Sequence, residues 1–167
     1  FGSEWHHSGR LEKKQNVFDD FYACAEHLIA AGYTSSAKLA IAGGSNGGLL
    51  VGAALVQRPD LFEAAICAVP LLDMLRYDQF LLGSLWIPEY GTASSADQFP
   101  FLRAYSPYHN VVTGTDYPST LFMSGESDSR VDPLPFLHEF RQPAEPDPRF
   151  DDHRVFGARA GAGRHHG

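Results

Sequence analysis

The six residues Gly43-Gly44-Ser45-Asn46-Gly47-Gly48 constrain this chain more than any other stretch. They follow a short β-prone run, Lys38–Ala42, and precede a small-residue segment, Gly47–Gln57, that reads as a helix with Pro59 just beyond its end. A serine in G-x-S-x-G, set between a strand and a helix, fits a sharp turn that exposes its hydroxyl at the carboxyl edge of a sheet. Such a turn crowds backbone against backbone, so Gly43 and Gly47 are both expected to need a missing side chain. The plain alternative is a glycine-rich loop that only turns the chain; the strand–helix context favours the strained turn. A nucleotide-binding loop fits less well, because neither G-x-x-x-x-G-K-[ST] nor G-x-G-x-x-G occurs around this turn.

The flanking segments read as an α/β arrangement. Val17–Ala31 is helical by pattern, with Phe18, Phe21, Ala25 and Leu28 on one face and Gly32 as its stop. Ala64–Val69 and Thr120–Ser124 read as further strands, and Leu71–Leu82 as a helix. The first two strand runs are almost continuously apolar, which suits a mostly parallel sheet flanked by helices on both faces, with a right-handed crossover. From Pro135 onward the composition changes: four prolines, five arginines, no lysine, and only Leu137 and Val155 among Leu, Ile and Val. The expected division is a packed domain over 1–134 and an atypical, poorly ordered tail over 135–167.

Whole-chain properties narrow the function classes. A length of 167 residues suits one domain but is short for a complete sheet of this kind. A formal net charge of −7 disfavours nucleic acid and anionic membrane as partners. No apolar run reaches the length of a membrane span. Cys24 and Cys67 form neither a disulfide framework nor a metal pattern, and no H-x-x-x-H pair supports zinc. The expected cofactor and metal content is none. The expected compartment is the cytoplasm, with the periplasm as the alternative.

A serine hydroxyl needs a base to become nucleophilic and a carboxylate to orient that base. With Ser45 as nucleophile, the backbone N–H of Asn46 is placed to donate to an oxyanion. The acid belongs after a later strand, where Asp128 stands beside its rivals Glu126 and Asp132. His138, His153, His165 and His166 follow Asp128; His165 and His166, 37 and 38 residues beyond it, are the candidates for the base.

Longer motifs then carry a resemblance. EWHHSGRLEKKQNVFDDF, AEHLIAAGYT, LAIAGGSNGGLL, QRPDLFEAAI, LDMLRY, WIPEYG, YSPYHN and YPSTLFMSGESDSRVDPL run from Glu4 to about Pro133. Together they resemble the prolyl oligopeptidase family of serine peptidases, whose catalytic domain has the α/β-hydrolase fold. The resemblance implies Ser45 as nucleophile, Asn46 as oxyanion amide and Asp128 as acid. It implies Arg130 on a substrate carbonyl, and Trp86, Tyr90, Leu71 and Val131 around a proline ring. The implied substrates are short proline-containing peptides, cut after proline through an acyl-enzyme. It also implies that the family's β-propeller, the strands before Phe1 and a tyrosine-bearing oxyanion loop lie outside this chain, leaving the fold incomplete at both ends. After Leu134 the resemblance stops: the family's glycine-flanked catalytic histidine is replaced by ARAGAGRHHG, which suggests a shifted reading frame or a truncated gene. Two other readings remain, an esterase or lipase-like hydrolase and a fragment without turnover.

Overall fold

The computed structural model describes residues 2–79, 82–125 and 155–160. Its centre is a four-stranded, wholly parallel sheet in the order β1 (Ala40–Gly44), β2 (Ala64–Ala68), β3 (Ser119–Gly125) and β4 (Val155–Ala160). The helices are α1 (Ser3–His7), α2 (Gln15–Ala30), α3 (Asn46–Gln57), α4 (Ile87–Tyr90) and α5 (Phe99–Tyr105). No helix among the described residues is long and apolar enough to cross a membrane.

Register follows from the short apolar runs. Ile66 stands opposite Ala42 on one side and Leu121 on the other. With side chains alternating every residue, Ile41, Ala65, Cys67, Thr120 and Phe122 are buried. This is the face beneath α3, whose Leu49, Val51, Ala53, Ala54 and Leu55 complete the core. The opposite face carries Ala42, Ile66 and Met123, with Ile66 and Met123 44% and 40% exposed. Cover on both faces, as the apolar runs suggest, is therefore found on one face among the described residues.

The second helix tests the periodicity. Phe18 and Ala25 are buried as expected, but the deep third position is Tyr22, while Leu28 is 40% exposed. The buried stripe turns toward α3, because the Tyr22 hydroxyl donates to Gln57 Oε1 at 3.1 Å and Phe21 pairs with Phe62 at 6.1 Å between rings. Gly32 ends the helix in the left-handed region (φ 77°), with Gly32 N–H on Ile29 O and Tyr33 N–H on Leu28 O.

Two expectations need correction. Strand β1 begins at Ala40, because Ser36–Lys38 closes a 3₁₀ turn with Lys38 N–H on Ser35 O. No helix spans 71–79. Met74 N–H donates to Ser106 Oγ at 3.0 Å and Leu75 N–H to Asp73 Oδ1 at 3.1 Å, so side chains take the amides that a helix would use.

Candidate active site

The carboxyl end of β1 passes into α3 through one residue, Ser45, with φ 55° and ψ −117°. A non-glycine residue at positive φ is strained, and strain of this kind gathers at functional sites. Local packing holds it there. Ser45 N–H donates to Ala68 O at 3.0 Å, and Leu49 N–H donates back to Ser45 O at 3.1 Å as the first helical bond. A Cβ on Gly43 would lie 2.2 Å from the Gly47 carbonyl oxygen, so strand and helix approach closer than any side chain permits. Gly48 is confined too, by Pro70 at 2.8 Å, whereas a Cβ on Gly47 would meet nothing within 4 Å. The steric demand therefore falls on Gly43 and Gly48, not on the expected pair Gly43 and Gly47. Ser45 and Asn46 are both exposed.

Asn46 opens α3, where unpaired N–H groups and the helix dipole favour negative charge. Its side chain is held: the Tyr90 hydroxyl donates to Asn46 Oδ1 at 2.7 Å. Tyr90 is buried, packs edge-on against Tyr77 at 5.4 Å, and shares one apolar cluster with Leu71. Trp86, at the end of the 3₁₀ turn Gly83–Trp86, is half-buried against that cluster. Burial pushes the Tyr90 phenol up to about 12, the Glu89 charge adding to it, so the hydroxyl stays a neutral donor. Leu71 and Tyr90 belong to the hydrophobic core and Trp86 packs on it, and Tyr90 reaches Asn46 through its hydroxyl. Asp128, Arg130, Val131, His165 and His166 lie outside the described residues, as do Glu126, Asp132, His138 and His153.

Behind Tyr90 stand three ionisable side chains that sequence reading did not single out. Lys14, only 3% exposed, donates from Nζ to Glu89 Oε1 at 2.9 Å, and His6 Nε2 meets Glu89 Oε2 at 2.7 Å. Burial pushes the Glu89 carboxyl up, but the hydrogen bonds and charges of Lys14 and His6 outweigh it and hold the group below the usual range. These residues border a cleft of about 490 Å³ that also reaches Trp5 and Asn46. The pair joins positions 75 residues apart, so no local pattern announces it. The hint available was a lysine inside EKKQN, amid otherwise solvated charges.

A second serine–histidine–aspartate set is a useful contrast. Ser106 Oγ lies 2.8 Å from His109 Nδ1, and Asp73 Oδ1 lies 3.9 Å from the same nitrogen. Ser106 is fully buried and its oxygen also serves Met74 N–H and Leu72 O. Burial lowers the His109 pKa, with Asp73 opposing. This set locks the 71–79 segment to the turn Pro107–Asn110 and offers no hydroxyl to a substrate.

A parallel sheet, a strained serine at the carboxyl end of a strand and a helix opening beside it define an α/β hydrolase. Comparison with known proteins places it more narrowly: this chain belongs to the prolyl oligopeptidase family, whose model matches residues 1–143. It is 48% identical over 146 residues to a prolyl endopeptidase of Elizabethkingia miricola, covering 87% of this chain and 20% of that protein. A prolyl endopeptidase of Dictyostelium discoideum is 46% identical over 134 residues, covering 80% of this chain and 18% of its own length. Among solved structures, prolyl oligopeptidase B from Galerina marginata without ligand superimposes with a TM-score of 0.85 at 37% identity, over 96% of this chain and 23% of that one. A structure from a mechanistic study of two prolyl endopeptidases gives a TM-score of 0.82 at 52% identity, over 94% and 24%. The chain thus spans about a fifth of the length of the curated relatives it matches.

Proposed function

We propose that this chain carries the nucleophile and the proline slot of a serine peptidase that cuts short peptides after proline. The observation that carries the reading is Ser45, exposed at φ 55° where β1 meets α3, with Asn46 beside it tethered to Tyr90. Ser45 Oγ attacks the carbonyl carbon while a histidine accepts its proton and Asp128 orients that imidazole. The Asn46 N–H donates to the oxyanion. Collapse of the tetrahedral adduct passes the proton to the leaving amine, and water then releases the acyl group from Ser45. A proline ring is apolar and lacks an N–H, so a slot of Trp86, Tyr90, Leu71 and Val131 selects it, with Arg130 donating to the adjacent carbonyl.

Galerina marginata prolyl oligopeptidase B was studied with a serine, an aspartate or a histidine replaced by alanine, bound to 35mer or 25mer substrates. His165 and His166 both stand as candidates for the base. The reaction needs no cofactor. An exposed free thiol at Cys24 fits the reducing cytoplasm.

A fluorophosphonate probe tests the assignment on the full chain. Covalent labelling that disappears in Ser45→Ala is the expected result. A proline-terminated chromogenic peptide should then be cut in preference to a short acyl ester. Labelling that survives Ser45→Ala, or ester cleavage without any prolyl preference, overturns the reading.

A further inference from the structure

The ion cluster behind Tyr90 has no part in the steps above, yet it holds a fully buried charge next to the oxyanion-side residue. Lys14 is 3% exposed, and a buried ammonium is retained only where partners compensate its lost hydration. It has two. Glu89 Oε1 lies 2.9 Å from Nζ, and the Tyr90 ring centroid lies 5.1 Å from the same nitrogen, within reach of a cation–π contact. Tyr90 is further fixed edge-on by Tyr77, whose hydroxyl donates to Gly91 O. The ring is therefore held on two sides, and its hydroxyl is aimed at Asn46 Oδ1 at 2.7 Å.

We propose that Lys14 is a positioning residue: its ammonium, locked on Glu89 and set against the Tyr90 ring, fixes the hydroxyl that holds the Asn46 side chain, and through it the direction of the Asn46 backbone N–H. The inference deepens the reading of Asn46 as oxyanion donor and rests on it. Such donors act by preorganisation, so a small error in aim is costly. Lys14 touches neither substrate nor reacting atoms; its effect passes through Tyr90.

A double-mutant cycle of Lys14→Met and Tyr90→Phe on the full chain tests this, reading the rate constant of Ser45 labelling per folded molecule. Each single variant should slow labelling about ten- to a hundredfold, and the double variant no more than the slower single, because both break one linkage. A merely structural ion pair would lower the melting temperature and leave the rate per folded molecule unchanged, which overturns the proposal. Multiplying effects in the double variant overturn it too. If Lys14→Met does not fold, Glu89→Gln, which keeps shape and removes the partner's charge, carries the same expectation. A second readout needs no activity: in the ¹⁵N-labelled protein the Asn46 backbone amide resonance should move in Lys14→Met as it does in Tyr90→Phe. An unmoved Asn46 resonance in folded Lys14→Met overturns the positioning role. Wild-type chain that never labels sinks the peptidase reading instead, and the resonance test still judges the linkage.

Discussion

The two faces of the sheet differ residue by residue. Toward α3 point Ile41, Gly43, Ala65, Cys67 and Phe122; away from it point Ala42, Gly44, Ile66 and Met123. Phe122 is 3% exposed and its neighbour Met123 40%; Cys67 is 0% exposed and its neighbour Ile66 44%. The covered face makes the site, because the close approach of β1 to α3 is what forces Ser45 out of ordinary backbone geometry. The other face takes no part in that turn. Apolar content alone does not separate them; packing does.

Adjacent substitutions turn this contrast into measurements. Phe122→Ala should cost ~3–5 kcal/mol in denaturant unfolding, and Met123→Ala under about 1 kcal/mol, since surface changes move stability little. Equal losses would break the distinction between the faces. Next, Gly43→Ala places a methyl 2.2 Å from the Gly47 carbonyl oxygen, while Gly44→Ala meets Ala68 at an ordinary 3.6 Å. Overpacking of the first kind costs about 1–3 kcal/mol or more and should abolish Ser45 labelling; Gly44→Ala should keep the elbow folded and reactive.

Titration gives a smaller, graded effect. Burial pushes the Cys67 thiol and the Tyr90 phenol up to about 12, and raises the Tyr22, Tyr77 and Tyr105 phenols for the same first reason. Each of these groups loses its proton in the unfolded chain first. The stability they contribute is therefore full below the ordinary thiol range near ~8.5, and is lost as pH climbs through it toward the folded-state values. Midpoints of urea unfolding should hold from pH 7 to about 8.5 and fall from there to about pH 11; a profile flat throughout would mean that these groups are solvated. The mildest test is thiol reactivity. Cys24 is exposed and Cys67 buried, so a disulfide reagent should modify Cys24 in the native protein and Cys67 only with unfolding.

Much of this was legible in the sequence where the signal is local. A run of small and apolar residues, a glycine-bracketed serine and a helix stopped by proline are neighbours in the chain, and their geometry follows from sterics at short range. The exchange of Tyr22 for Leu28 was not legible, since it depends on where Gln57 and Phe62 come to rest. The loss of helix in 71–79 has the same origin: Ser106, 32 residues from Met74, takes the amide that the pattern assigns to a helix. Lys14 and Glu89 were invisible for the same reason, because a buried charge is recognisable only once its partner is placed. The roles of Leu71, Trp86 and Tyr90 came from family resemblance; the link of Tyr90 to Asn46 through its hydroxyl appears only once the chain is folded.

Strand order has one more consequence. β1, β2 and β3 are laid down side by side in the direction of synthesis, all pointing the same way. A right-handed link between each successive pair must return along the same flank. The helix α3 in the first of those links covers the face that carries Cys67 and leaves Ile66 on the other.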